Sequence, residues 1–378
     1  MTHPFYTAEH EAFRDQVRRF VAKEIEPFAH QWDEAGEFPR ELFGKAADLG
    51  LIGLGFPEAY GGVTGDRFLW IIATQELARP GAGGISASLM SHAIGAPPIA
   101  NAGSEELKAR VLPAILSGEK ISALAITEPG GGSDVAGLVT TARREGDHYV
   151  VKGEKTFITS GMRADYYTVA VRTGGPGAAG VSLLLIERDR AGFTRTPLKK
   201  MGWWASDTAT LRFDDVRVPV ANLIGAEGQG FKIIMRNFNH ERLTMAAGCI
   251  AASRVCLEEA TAYARERRTF GRALVEHQVI RHKLVDMAQK VEAGQAMLEM
   301  LTWRLEQGES PVAELCMLKN HATQTMAFCA SEAVQIFGGA GFMRGAKVER
   351  IYREVKVNAI GGGTEEIMKD LAARQMGL

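Results

Sequence analysis

At 378 residues the chain exceeds what one hydrophobic core usually organises, so two or three packed domains are expected. Its 44 basic and 45 acidic residues nearly cancel, giving a formal net charge of −1, and no Lys/Arg-rich run interleaved with aromatics tracks a phosphate backbone, so nucleic acid is excluded as a partner. No stretch approaches the roughly 20 continuous apolar residues of a membrane span, and the first residues lack the features of a signal or transit peptide; a soluble protein is expected, cytoplasmic if the source is bacterial.

From Ala8 to about Glu119 apolar residues recur at helical spacing, as in Phe13, Val17, Phe20, Val21 and Ile25, with breaks at Phe56-Pro57, Pro80-Gly81 and Pro97-Pro98. From Lys120 to Gly228 the period shortens. The runs His148 to Ile158, Tyr166 to Val171, Val181 to Ile186 and Ala209 to Val218 read as strands separated by Gly, Pro and Asp clusters. From Phe231 to Met376 long amphipathic helical periods return, as in a bundle. The expected domains are residues 1–119 (helical), 120–228 (β, barrel-like) and 229–378 (a four-helix bundle), an α+β multidomain chain with its sites at the junctions. Cys249, Cys256, Cys316 and Cys329 lie in apolar helical stretches without metal-ligand spacing, so reduced, buried thiols and no metal site are expected.

Two segments carry candidate chemistry. The run from Ala125 to Asp134 combines hydroxyls with Gly130, Gly131 and Gly132, which let a backbone approach a phosphate or ring closely; a plain entry loop to the β domain would read the same. The strand Lys155-Thr-Phe-Ile-Thr-Ser-Gly161 sets Phe157 and Thr159 on one face by alternation. That pair suits a flat heterocycle or a cross-strand contact equally well.

These two runs resemble the acyl-CoA dehydrogenase family. So do Met201-Gly202 with Ser206-Asp-Thr208, Phe213 with Val216-Arg-Val-Pro219, Gly228-x-Gly230-Phe231, Arg267-x-x-Phe270-Gly271, Gln278, Gln335-Ile-Phe-Gly-Gly339, Arg353 and Gly363-Thr364, in the family's order and nearly end to end. The resemblance implies FAD as cofactor, with Thr127 and Thr159 bonding the flavin, Phe157 packing on it, and Ser133 near the pyrophosphate and the CoA. It implies that Arg267, Phe270, Gln278, Gln335, Gly338 and Gly339 reach the FAD of a neighbouring subunit, with Arg267 facing diphosphate, and that Thr364 and Glu366 hold the ADP end. A homotetramer, or a dimer of equivalent pairs, follows from a shared site. An electron-transferring flavoprotein is the implied electron acceptor.

Most members of the family carry the catalytic Glu just before the Gly-Thr, where this chain has Gly362. A replacement stands on the helical segment Phe238-Asn-His-Glu-Arg-Leu243, which resembles the long-chain and isovaleryl branches whose base sits there. Glu241 is therefore the expected base, on an apolar stripe with Ile234, Phe238, Met245 and Gly248, and burial should raise its pKa. The competing readings are an ion pair of Glu241 with Arg242, Lys232 or Arg236, simple exposure of its carboxylate, and Glu365 as the base. Gly362 keeps the oxyanion N-H in this reading, Arg242 lies near substrate or CoA, and His240 packs.

The expected reaction is desaturation of a medium-chain, long-chain or branched acyl-CoA to the trans-2-enoyl-CoA. An oxygen-using flavin oxidase or monooxygenase on the same fold, or an inactive flavin- or CoA-binding scaffold, are the alternatives. The family often has Arg two residues after the Met-Gly, where this chain has Trp204. The acyl chain is expected beside Ile85 to Ile99, where Ser86, Ala87, Ser88 and Gly95 are small.

Overall fold

The computed structural model describes residues 4–378, with Asn239 described through its backbone alone. Helices α1 (Ala8–Glu24), α2 (Ala29–Ala35), α3 (Glu41–Asp48), α4 (Arg67–Ala78), α5 (Gly83–Leu89), α6 (His92–Gly95), α7 (Pro97–Ala102) and α8 (Glu105–Leu116) come first. Three of them, α1, α4 and α8, start at side-chain caps. Thr7, Asp66 and Ser104 accept the amides of His10, Leu69 and Leu107, satisfying donors that a helix start leaves unpaired. Pro97 opens α7, where its locked φ suits the first helical turn.

The middle segment contributes β1 (Ser122–Ala125), β2 (Thr141–Glu145), β3 (His148–Thr159), β4 (Tyr166–Arg172), β5 (Val181–Glu187), β6 (Phe193–Pro197), β7 (Thr208–Pro219) and β8 (Leu223–Ile224). They form one sheet in the order β6-β7-β3-β2-β4-β5-β8, with β1 added parallel to β4. The four runs expected as strands lie within one residue of β3, β4, β5 and β7. The short β1, the mostly polar β2 and the half-exposed β6 are additional; none alternates strongly enough to be read from its residues. In the β3–β7 pair the register shifts between Lys155 and Ile158, a bulge beside the strand's end.

The last segment holds α9 (Gly230–Glu266), a short hairpin β9 (Arg268–Thr269) and β10 (Arg272–Ala273), then α10 (Gln278–Glu306), α11 (Val312–Phe337), α12 (Lys347–Ile360) and α13 (Glu365–Met376). The chain is thus helical, then β, then helical. Among the described residues no helix is long and apolar enough to cross a membrane.

Cores, and not just linkers, join the segments. Val17, Ile25 and Leu42 of the first helices share one cluster with Tyr149, Val151 and Val171 of the sheet. Leu107 and Val111 of α8, Leu183 and Leu185 of β5, and Ile234 of α9 share another. Each such aliphatic side chain contributes about 1.5–3 kcal/mol on burial, so the three segments hold one another in fixed register. The four cysteines are free and buried.

Candidate active site

The Gly-rich turn is held from below by a buried ion pair. Lys155 Nζ, fully enclosed, donates to Glu128 Oε1 at 2.8 Å and to Ile126 O at 2.9 Å, while the amides of Val139 and Thr140 donate to the same carboxylate at 2.6 and 2.8 Å. Burial would raise the Glu128 carboxyl, but Lys155 and those donors outweigh it and hold the carboxyl below its usual range; burial draws Lys155 down to about 8. Sequence reading missed this pair. A Lys on the strand and a Glu in the turn carry no local signal that they meet.

Above the pair the surface is open. A Cβ on Gly130 or Gly131 would meet nothing within 4 Å, so no crowding by this chain requires glycine there. The Thr156 amide donates to Thr127 O at 2.9 Å, which places Thr127 beside Phe157. At the β3 bulge Phe157 adopts φ 60° and is 69% exposed, while Ile158 is buried and Thr159 half-buried. A left-handed, outward-facing aromatic is costly by itself, and such outliers gather where a ligand compensates. An open glycine turn, two threonines and a projecting ring fit a flat heteroaromatic group carrying a diphosphate, as FAD does. Ser133 is exposed on the same turn.

At the far end of the bundle the second group of expected cofactor residues gathers. Tyr263, one turn before Arg267, stacks on Phe337 with ring centres 4.3 Å apart, bringing Arg267 and Phe270 toward Gln335, Gly338 and Gly339. Arg267, Gln278 and Gln335 are exposed, Phe270 is 97% exposed at φ 51°, and a Cβ on Gly338 or Gly339 would meet nothing.

The third group surrounds the loop after α12. Gly362 has φ 65°, and a Cβ built there would lie 2.6 Å from Met245 Sδ and 3.7 Å from Glu241 Oε1. Glu241 and Met245, one turn apart on α9, therefore face the vacated family position. Glu241 is half-buried, yet Oε2 is sealed from solvent and without a hydrogen-bond partner among the described residues. Burial raises its carboxyl to about 7, against the pull of Arg242 and Lys319.

The competing readings fare differently. Glu241 forms no salt bridge to Arg242, Lys232 or Arg236 within 4 Å among the described residues. Glu365 Oε2 accepts from Gln324 Nε2 at 3.0 Å. His240 packs edge-on against Trp70, ring centres 5.1 Å apart, and burial with Arg67 nearby lowers it to about 4, so it stays neutral. Arg242 is buried, its guanidinium 5.9 Å from the Phe238 ring centre. Thr364 caps α13 by accepting the Ile367 amide, with Glu366 exposed in the first turn.

Two departures acquire a physical account. Trp204 lies between Arg353 and Arg344, whose guanidinium carbons are 3.7 and 4.5 Å from its ring centre, and its Nε1 donates to Lys200 O at 3.0 Å. Arg353 also donates to Asp33 Oδ2 at 2.9 Å, so the indole joins all three segments. The expected lining by small residues needs correction: Ser88 bonds Ser160 Oγ at 2.8 Å, and a Cβ on Gly95 would strike Ser122 Oγ at 2.6 Å. These two dock α5 and α6 on the sheet and leave Ser86, Ala87, Met90 and Ile94 part-exposed.

Comparison with known proteins gives the same outline. Family models described as the N-terminal, middle and C-terminal domains of acyl-CoA dehydrogenase match residues 7–119, 123–216 and 228–377. The long-chain specific acyl-CoA dehydrogenase of Rattus norvegicus mitochondria is 36% identical over 98% of this chain and 87% of its own. The acyl-CoA dehydrogenase structure from Geobacillus kaustophilus is 38% identical and superposes with a TM-score of 0.96 over 100% of both chains. A glutaryl-CoA dehydrogenase from Mycobacterium smegmatis, solved in complex with FADH2, is 26% identical with a TM-score of 0.93 over 100% of this chain and 97% of that one.

Proposed function

The chain belongs to the acyl-CoA dehydrogenase family, an FAD-dependent oxidoreductase family acting on acyl-CoA thioesters, and we propose that it desaturates a medium-chain, long-chain or branched acyl-CoA with Glu241 as the base. The observation that carries this reading is the Glu241 carboxylate beside Gly362, sealed and without a partner for Oε2. A carboxylate in that state is a stronger base than an exposed one, because protonation removes a poorly solvated charge.

A thioester α-proton is weakly acidic, so its removal needs donors for the enolate oxygen as well as a base. Gly362 supplies an amide. Gly361 N donates to Val357 O at 2.8 Å, whereas the Gly362 amide has no backbone acceptor among the described residues. The family's usual residue combines base and donor; here Gly362 would keep the donor and Glu241 provide the carboxylate from α9. Thr127, Phe157 and Thr159 would hold the flavin ring, Ser133 the pyrophosphate, and Thr364 and Glu366 the ADP end. Arg267, Phe270, Gln278, Gln335, Gly338 and Gly339 would reach the cofactor of a neighbouring copy, which makes a homotetramer the expected assembly. Bound FAD would supply the acceptor for the β-hydrogen, and Glu241 would receive the α-proton. Arg242 would border the substrate, and an electron-transferring flavoprotein in the cytoplasm would take the electrons onward. The 36% identity to a long-chain specific enzyme supports a long acyl group.

The test is anaerobic addition of a panel of acyl-CoAs to the yellow protein, following bleaching of the flavin band, then repetition with Glu241→Gln. Bleaching by a subset of chain lengths that disappears in the variant supports the reading. Oxygen uptake without an added acceptor would favour an oxidase, and binding without bleaching a scaffold.

A further inference from the structure

Lys319 is a charged residue in the apolar middle of α11, with none of its surface exposed. Burying an ammonium is costly unless it is fully engaged. Its Nζ donates to Gly363 O at 2.6 Å and to Ala359 O at 3.3 Å, the carbonyls on either side of Gly361 and Gly362. The next residue, Asn320, donates to Glu365 O at 2.9 Å. One turn of α11 thus grips both ends of the loop whose centre faces Glu241. Gly362 at φ 65° and Gly363 at φ 103° carry no side chains of their own to fix that loop, and the Gly361-Gly362-Gly363 run has more conformational freedom than any other tripeptide.

We propose that Lys319 is the positioning residue of this site: by holding the Ala359 and Gly363 carbonyls it sets the direction of the Gly362 amide against the Glu241 carboxylate. The proposal rests on the reading of Glu241 as base. A second consequence follows from charge. The groups whose fields act on Glu241 are Arg242 on its own helix and Lys319 on α11, both of which lower its carboxyl; Lys319 in turn feels Cys249, Glu365, Arg242 and Glu241. One ammonium therefore shapes the loop and favours the ionised base.

The test uses holoprotein carrying Lys319→Met, which matches the volume and removes both donors and charge, and Lys319→Gln, which keeps a donor and serves should the methionine variant fail to accumulate as yellow protein. Two readouts are taken: the pH midpoint of the Glu241 carboxyl stretch by infrared difference spectroscopy, assigned by its absence in Glu241→Gln, and the anaerobic bleaching rate well above that midpoint. Both variants should move the midpoint upward, by about one pH unit, and lower the plateau rate roughly 10- to 100-fold with acyl-CoA binding retained. A structural role alone would lower the melting temperature and leave the midpoint in place; that result, or wild-type rate and midpoint in either variant, overturns the assignment. If no thioester bleaches the wild type, the dehydrogenase reading fails and the positioning role falls with it, and a midpoint that still moves then reports only the charge of Lys319 acting on Glu241. If the wild type bleaches, Glu241→Gln does not, and both Lys319 variants match the wild type, Lys319 falls and the reading of Glu241 stands.

Discussion

Met245 occupies the space that a side chain at position 362 would need: its Sδ lies 2.6 Å from the point where a Gly362 Cβ would sit. Glycine here is a backbone requirement, since φ is 65°, and any side chain would in addition have to displace the flexible Met245 thioether. Gly362→Ala should cost about 1–3 kcal/mol and slow anaerobic bleaching about 100-fold by turning the amide. Adding Met245→Ala should restore a large part of the rate, and absence of any rescue would show that backbone strain alone explains the loss.

The rate should follow the ionisation of Glu241. Because a base at Glu241 would act as carboxylate and burial raises that group to about 7, kcat/KM should fall roughly tenfold per pH unit below that value and level off above it. A pH series of initial bleaching rates checks this; a profile flat down to the ordinary carboxylate range would remove Glu241 from the role.

The same shift makes a stability statement. Burial raises the folded carboxyl from its ordinary value of 4.5 to about 7, so the fold prefers the protonated form; this contribution is present below the unfolded value and is lost as pH rises through about 7. Glu241→Gln should therefore melt higher than the wild type at pH 8, by an amount on the order of 1–3 kcal/mol, and lose that advantage near pH 4.5. Equal melting differences at both pH values would contradict the burial of this charge.

Phe157 holds a backbone conformation that glycine adopts freely. Phe157→Gly should stabilise the cofactor-free protein by about 1 kcal/mol and weaken FAD retention about tenfold through lost stacking. Thermal melts of apoprotein and flavin release on dilution measure the two effects, and a variant that keeps its flavin as tightly as the wild type would place the ring elsewhere.

Breaking the Lys155–Glu128 pair by Lys155→Met should cost about 3–5 kcal/mol in chemical denaturation, because a buried carboxylate loses its cation. The double variant with Glu128→Gln should recover part of that loss, as expected of residues in direct contact. Strict additivity would mean that the amides of Val139 and Thr140 hold the turn unaided.

The residues alone determined a good deal. Periodicity divides the chain into helical, β and helical segments because apolar spacing follows the repeat of each element, and four strands fell within one residue of their runs. Gly362 together with Glu241 suggested, through the family's motifs, the relocated base that is proposed above. Tertiary structure decided what depends on residues distant in sequence. The ladders of β1, β2 and β6 come from neighbours and not from their own patterns, and small residues such as Ser88 and Gly95 proved to dock elements instead of lining space. Lys155 meets Glu128, Met245 fills the side of Gly362, and Lys319 reaches two carbonyls about forty residues further along the chain. The physical reason is the same in each case: burying a charge or a glycine is decided by what the folded chain brings within hydrogen-bond or van der Waals range, and local spacing carries no record of that.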